Sequence, residues 1–184
     1  SSYSYKRQGF DLRVGYPIFD YTRLFVTYKF EDTEITAETD PTIDKDLENG
    51  IASIIRSSVI RDIRNNKFEP TKGYYFSLAS EYAGLGGDKK WFKLEADGRY
   101  FFKVVGDLVF RSRLYASRLY EVNNQSIPRT EKFTLGGARN LRGYSYEAIG
   151  PKEDIQDSEG NTFSYNVGGL FAAYTSIELE HPLA

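Results

Sequence analysis

Cysteine is absent from the 184-residue chain, which excludes disulfides, thiol catalysis and metal sites with cysteine ligands. Methionine is absent too, including at position 1, so we expect the chain to be a piece of a longer protein whose native start lies elsewhere. No uncharged apolar run approaches the roughly 18 residues of a membrane-spanning helix. The formal net charge of −2 lacks the basic excess of nucleic-acid-binding proteins, so we predict no nucleic-acid partner.

The residues that are abundant are tyrosine, phenylalanine and glycine, with 15 Tyr, 13 Phe and 16 Gly. The mean hydropathy is nevertheless −0.51. A transmembrane β-barrel combines these two properties, because its strands alternate lipid-facing apolar residues with polar residues that face the lumen. A soluble β-sandwich gives a similar average, so composition leaves both architectures open.

Alternation of apolar and polar residues predicts about seven β-strands, near residues 3–16, 21–32, 50–63, 74–83, 90–104, 108–121 and 167–181. Several of them exceed the about five or six residues of globular strands and reach the roughly 9–11 that cross a bilayer. Short connections alternate with mostly longer ones, which favours a barrel with one periplasmic end and one external end. The longer ones include the acidic stretch 33–49, where we do not predict a metal site.

Aromatic residues at the strand ends indicate two interfacial girdles at the membrane surfaces. The girdle residues are Tyr16, Phe19, Tyr21, Tyr74, Phe101 and Phe102 at one end, and Tyr28, Phe30, Tyr82, Trp91 and Tyr120 at the other. Ordinary core and edge aromatics are the alternative interpretation. The charged strand faces suit a wet lumen, although the outer face of a sandwich would accommodate them equally well.

The stretch 133–151 is too irregular for a strand and too rich in glycine for a helix. Its candidate site residues are Gly136, Gly137, Leu141, Arg142, Gly143 and Tyr144. The glycines permit backbone angles that other residues resist. An arginine at the tip of such a hairpin suits insertion into a confined space, where its planar guanidinium meets a carboxylate. A solvated surface loop with incidental charges is the alternative.

Three motifs in this sequence resemble those of BamA-type outer-membrane assembly factors. Phe133-Thr-Leu-Gly-Gly-Ala-Arg-Asn-Leu-Arg-Gly-Tyr144, continued by Ile149-Gly-Pro151, is similar to the Arg-Gly-Phe/Tyr loop of that family. Asp62-Ile-Arg64 with Pro70-Thr-Lys-Gly73 resembles its Asp-x-Arg … Pro-Thr-x-Gly turn. Thr175-Ser-Ile-Glu178-Leu-Glu-His-Pro182-Leu183 resembles the strand that follows the loop.

The resemblance implies an all-β fold: an antiparallel transmembrane β-barrel fragment of about seven meandering strands, roughly the sixth to the twelfth of a sixteen-stranded barrel. Residues 1–184 would form one partial barrel domain of a protein that also carries POTRA domains. Residues 122–166 would be the long arginine-glycine extracellular loop, which folds back into the barrel. The resemblance further implies that Arg142 reaches Glu178, which strand alternation also places on the lumen face. We expect Arg142 to anchor the loop to Glu178 inside the lumen, with Tyr144 packed beside it, although part of the barrel that would enclose the pair lies outside this chain.

The implied activity is the folding and insertion of β-barrel proteins in the cell outer membrane, without nucleotide hydrolysis. The implied partners are the lipid bilayer, unfolded outer-membrane proteins and assembly-complex lipoproteins. A two-partner secretion or translocation porin of the same superfamily is the alternative; a passive porin would not explain the loop. The sequence shows no serine and carboxylate at a spacing from the one histidine that would indicate a catalytic triad, so we predict no enzyme, no catalytic residue, no cofactor and no metal site. Because a seven-stranded sheet leaves two unpaired edges, we expect it to pair with another copy or with flanking strands.

Overall fold

The structure, a computed structural model, describes residues 3–37, 44–138, 140–156 and 161–181. Its strands are β1 (Tyr3–Phe19), β2 (Thr22–Ala37), β3 (Gly50–Asp62), β4 (Gly73–Gly87), β5 (Trp91–Val105), β6 (Leu108–Glu121), β7 (Lys152–Gln156), β8 (Thr162–Asn166) and β9 (Phe171–Glu180). One helical turn, α1 (Lys45–Glu48), follows β2, and a 3-10 turn (Arg129–Glu131) follows β6. Within the described ranges no helix is long and apolar enough to cross a membrane.

Seven strands form one antiparallel sheet in the order β1-β2-β3-β4-β5-β6-β9, and β7 and β8 pair separately as a hairpin. The predicted all-β antiparallel meander is therefore confirmed. The sheet is open, with β1 and β9 at its edges. Neighbouring strands are joined alternately at the two ends, so the β2–β3, β4–β5 and β6–β9 connections share one end, which we call the loop end.

The two faces of the sheet differ in chemistry as the alternation predicts. Phe10 pairs with Phe30, Leu12 with Tyr28 and Val14 with Val26, so apolar side chains gather on one face, the outer face. Many of them are exposed, which is the pattern of a sheet that has lipid on that side. The opposite, inner face carries the charged side chains, for example Asp97 of β5, whose carboxylate accepts hydrogen bonds from Arg113 of β6.

The assignment of Trp91 and Phe101 to the girdles is wrong, because both side chains lie on the inner face and are only 0% and 7% exposed. Trp91 is covered by the β6–β9 connection, which returns over the sheet. The second strand also runs further than the sequence indicates, to Ala37 instead of about residue 32. Ile35 is buried there and pairs with Tyr5, because β1 is long enough to offer it a partner.

The principal hydrophobic cluster lies on the inner face near the loop end. It comprises Ala52, Ile54, Ala83, Trp91, Leu119 and Ile127, with Phe133 packed against it. Most of these residues come from β3 to β6, whereas Ile127 and Phe133 come from the β6–β9 connection. We call residues 122–131 of that connection the root segment. Burial of Ile127 and Pro128 of the root segment against the sheet explains why there is a dry region on a face that is otherwise charged.

Candidate functional site

The predicted arginine-glycine stretch forms a narrow hairpin above the inner face, and its tip is residues 136–138 and 140–145. Gly136, Gly137 and Gly143 have φ angles of +128°, +94° and +90°, a region that favours glycine. A Cβ on Gly136 would lie 2.2 Å from the carbonyl oxygen of Ser145, so no other residue fits there. The tip closes through a hydrogen bond of 2.9 Å from the Gly137 amide to the Tyr144 carbonyl.

Arg142 lies beside Glu178 of β9, with 3.3 Å between its Nη1 and the carboxylate Oε1. Both residues line a cavity of about 360 Å³ between the tip and the inner face. The side chains of Arg142 and Glu178 are 75% and 42% exposed, so the pair is open to solvent. Tyr144 is likewise 58% exposed. The contact exists, but the tip alone does not exclude water from it.

Below the tip, the inner face carries a compact cluster of arginine, aspartate and tyrosine. The Asp97 carboxylate accepts hydrogen bonds of 2.7 Å from Arg99 Nη2 and 2.8 Å from Arg113 Nη2. Arg113 also lies 5.2 Å from the ring centre of Tyr174, within cation–π range. Charge-assisted pairs of this kind satisfy a buried carboxylate and hold the neighbouring arginines in fixed orientations.

The predicted turn motif is formed at the other end of the sheet. Arg64 donates from Nε and Nη2 to the two carboxylate oxygens of Asp62, both at 2.8 Å. This bidentate hydrogen bond raises the pKa of Arg64 above its ordinary value. Gly73 has a φ of +101°, and a Cβ there would lie 2.3 Å from the Ile63 carbonyl oxygen. Pro70 is buried within the turn.

Arg99 lies between the turn and the long loop of residues 122–166, which we call the arginine loop. The Tyr75 ring has the Arg64 guanidinium at 5.1 Å and the Arg99 guanidinium at 5.0 Å. Arg99 also lines the cavity that contains Arg142. The two sequence motifs thus contact one continuous inner face from opposite ends.

A ladder of ion pairs connects the inner face to the root segment. Arg56 lies 2.6 Å from Glu95 and 3.4 Å from Glu81. Lys93 lies 3.2 Å from Glu81 and 3.6 Å from Glu131 of the 3-10 turn. The Trp91 indole N–H also donates to Glu81, at 3.1 Å.

Two charged side chains are buried where the loop-end connections meet. Glu48 of α1 is 1% exposed, and its carboxylate accepts hydrogen bonds from the Thr130 hydroxyl and amide, at 2.6 and 3.2 Å. Lys89, in the β4–β5 connection, is also buried. Burial lowers the pKa of Lys89, while the nearby charges of Glu48 and Glu131 oppose that shift.

Sequence reasoning missed several residues on which this geometry depends. Asn140 accepts hydrogen bonds from the amides of Gly136 and Leu141, at 2.8 and 2.7 Å, and so shapes the tip. Asparagine between glycines is a turn signal that could have identified it. No local signal marks Glu48 or Thr130, because their contact joins residues 82 positions apart. Among the described residues, no group of three or more His, Asp or Glu could hold a metal ion.

An open antiparallel sheet with an apolar outer face, a charged inner face and a glycine-rich arginine loop folded onto it defines an outer-membrane barrel of the Omp85 type. The chain matches the Omp85 superfamily domain over residues 1–184, so it belongs to that superfamily. The match extends across the whole sheet and the arginine loop.

Comparison with individual relatives supports the same assignment. The chain is 26% identical over 175 residues to the outer membrane protein assembly factor BamA of Nitratidesulfovibrio vulgaris, covering 92% of this chain and 21% of that protein. It is 30% identical over 135 residues to a SAM50-like protein of Schizosaccharomyces pombe, covering 71% of this chain and 28% of that protein. The chain therefore spans about a fifth to a quarter of the curated relatives it matches.

The fold is also similar to that of a solved structure. The crystal structure of BamA from Haemophilus ducreyi lacking POTRA domains 1–3 superposes with a TM-score of 0.83 at 16% identity. The match covers 96% of this chain and 37% of that chain. The sheet therefore has the fold of part of the BamA barrel.

Proposed function

We propose that this chain is part of the membrane barrel of an outer-membrane protein assembly factor, which folds and inserts β-barrel proteins. The observation that carries the proposal is the 3.3 Å contact between Arg142 and Glu178 on the inner face of a chain that belongs to the Omp85 superfamily. Similarity to a BamA protein over 92% of the chain supports assembly as the activity. The proposed location is the cell outer membrane.

The proposed mechanism is structural and requires no catalytic residue and no cofactor. The outer face contacts lipid. The arginine loop, folded onto the inner face, holds the strands of the barrel wall in the conformation that inserts client proteins. The proposed partners are the bilayer, unfolded outer-membrane proteins and assembly-complex lipoproteins. Pairing of a client strand with an unpaired strand edge would supply the driving force, since unpaired backbone groups are costly in lipid.

The test removes the Arg142 contact in the full-length protein that contains this chain. Arg142→Ala and Glu178→Ala should each slow insertion of an unfolded barrel protein into phospholipid vesicles, and the swapped pair Arg142→Glu with Glu178→Arg should recover part of the rate. Arg118→Ala is the matched control, because Arg118 lies on the outer face beside Tyr120. Insertion is followed by the faster gel mobility of folded barrels in unheated samples.

Normal insertion by Arg142→Ala and Glu178→Ala would contradict the proposed role of the contact. A secretion or translocation porin would give a different result with the parent protein. It would move an unfolded polypeptide into the vesicle interior, where added protease cannot reach it, and would insert no barrel into the bilayer.

A further inference from the structure

The root segment is attached to the sheet by buried contacts, in contrast to the exposed tip that carries Arg142. Ile127 and Pro128 are fully buried, and Ile127 belongs to the inner-face cluster around Trp91. Gln125 Nε2 donates to the Asp88 carbonyl at 2.5 Å, which ties the segment to the β4–β5 connection. Glu131 is within ion-pair distance of Lys93 on β5.

The buried carboxylate of Glu48 reaches the root segment from the β2–β3 connection. Its two oxygens accept separate hydrogen bonds from Thr130, one from the hydroxyl and one from the backbone amide. The next residue after α1, Asn49, accepts a hydrogen bond of 2.6 Å from the Ile35 amide of β2, which fixes Glu48 relative to the sheet. Burying a carboxylate that is only 1% exposed costs free energy unless its oxygens accept hydrogen bonds. The two bonds from Thr130 therefore hold Thr130 in one orientation relative to Glu48.

A backbone ladder carries the position of Thr130 to Arg142. Phe133 and Gly169 exchange two hydrogen bonds, at 2.9 and 2.8 Å, and Leu135 and Ile149 exchange two more, at 2.8 and 2.9 Å. Extended chain rises about 3.3 Å per residue. A shift of the ladder by one residue at the root segment would therefore move Arg142 by about the 3.3 Å that separates it from Glu178. The register of the tip is therefore set where the ladder begins.

We infer that Glu48 and Thr130 are positioning residues of the arginine loop. Their contact, in which the Glu48 carboxylate is buried although Thr130 itself is exposed, holds the loop on the inner face more than the solvent-open pair of Arg142 and Glu178 does. The inference concerns docking of the loop and does not require the proposed insertase activity. It assigns to the β2–β3 connection the function of holding a loop that begins only at residue 122 of the chain.

The absence of cysteine makes the inference directly testable. In the full-length protein, with any cysteine outside these 184 residues replaced by serine, Thr134→Cys places one thiol at a half-buried position between Thr130 and the tip. Its alkylation rate by a maleimide reports how often the loop leaves the sheet. Glu48→Gln and Thr130→Val should each raise that rate roughly tenfold or more, the factor that loss of a hydrogen bond to a charged group represents.

Matched variants separate positioning from a general loss of structure. Thr130→Ser keeps the hydroxyl and should return the rate to that of the parent protein. Thr162→Val and Glu153→Gln, on the exposed hairpin, make the same chemical changes away from the contact. Gel mobility of unheated samples checks that the barrel is folded; if Glu48→Gln does not fold, Thr130→Val with Thr130→Ser decides.

A second readout tests whether Glu48 acts through Arg142. In the Glu48→Gln variant, Arg142 should no longer be held at Glu178. Adding Arg142→Ala to this variant should therefore slow insertion no further. Unchanged alkylation in Glu48→Gln and Thr130→Val would overturn the inference, as would equal acceleration in Thr130→Ser or fully additive effects of the double variant. The alkylation result is readable even if the protein inserts no client, so failure of the inference and failure of the proposed function are distinguishable.

Discussion

Replacement of Ile127 by alanine should release the root segment from the inner face. Ile127 is 0% exposed and packs in the cluster that contains Trp91 and Leu119. Truncation of a buried isoleucine to alanine costs about 2–5 kcal/mol, because it removes transfer free energy and leaves a cavity. Since each 1.4 kcal/mol is a factor of ten, the open loop should become roughly 30-fold more populated at the lower limit.

Hydrogen–deuterium exchange detected by mass spectrometry measures this opening in the full-length protein. The informative amides are those of Phe133 and Leu135, which donate to carbonyls of the ladder at 2.9 and 2.8 Å. Their exchange should accelerate by the same factor, while exchange in β3 and β4 should change little, because local opening does not unfold the sheet.

The control for this prediction is Leu85→Ala, since Leu85 is also apolar and lies near the loop end but is 55% exposed. Its effect should stay within about 0.5 kcal/mol. If Ile127→Ala leaves exchange at Phe133 and Leu135 unchanged, the root segment is held by something other than the buried cluster. If exchange rises equally in every strand, the cluster stabilises the whole sheet and the loop is not a separate unit.

Two further predictions concern the sequence motifs. Gly136→Ala should destabilise the tip far more than Gly143→Ala, because a Cβ on Gly136 would lie 2.2 Å from a carbonyl oxygen, whereas no atom lies within 4 Å of a Cβ on Gly143. The rate of trypsin cleavage after Arg142 measures how far the tip has opened. Equal cleavage rates of the two variants would contradict the prediction. Arg64→Lys should lower the free energy of unfolding, measured by urea titration, by on the order of 1 kcal/mol, because lysine cannot donate to both oxygens of Asp62 in the bidentate geometry of arginine. Lys67→Arg, in the same turn, is the control, and an equal loss there would contradict the bidentate explanation.

Much of the fold follows from local sequence patterns. Alternation over Phe92, Lys93, Leu94 and Glu95 fixes which side chains share a face, because successive residues of a strand point in opposite directions. Glycine at positions 136, 137 and 143 predicts unusual backbone angles for the same local reason, and all three have positive φ. The sequence also indicated a lumen-facing Glu178, since it alternates with exposed apolar neighbours on β9.

Other properties depend on contacts between distant parts of the chain. Trp91 and Phe101 have the residue type of membrane-surface aromatics, and only the inner-face contacts decide that they are buried. Glu48 and Thr130 are two ordinary polar residues until folding brings them to 2.6 Å. Sequence determined the alternation, the turns and the loop motif because these are properties of neighbouring residues. Tertiary structure alone decided where the loop is held and how exposed Arg142 is, because burial depends on which distant segment covers a residue.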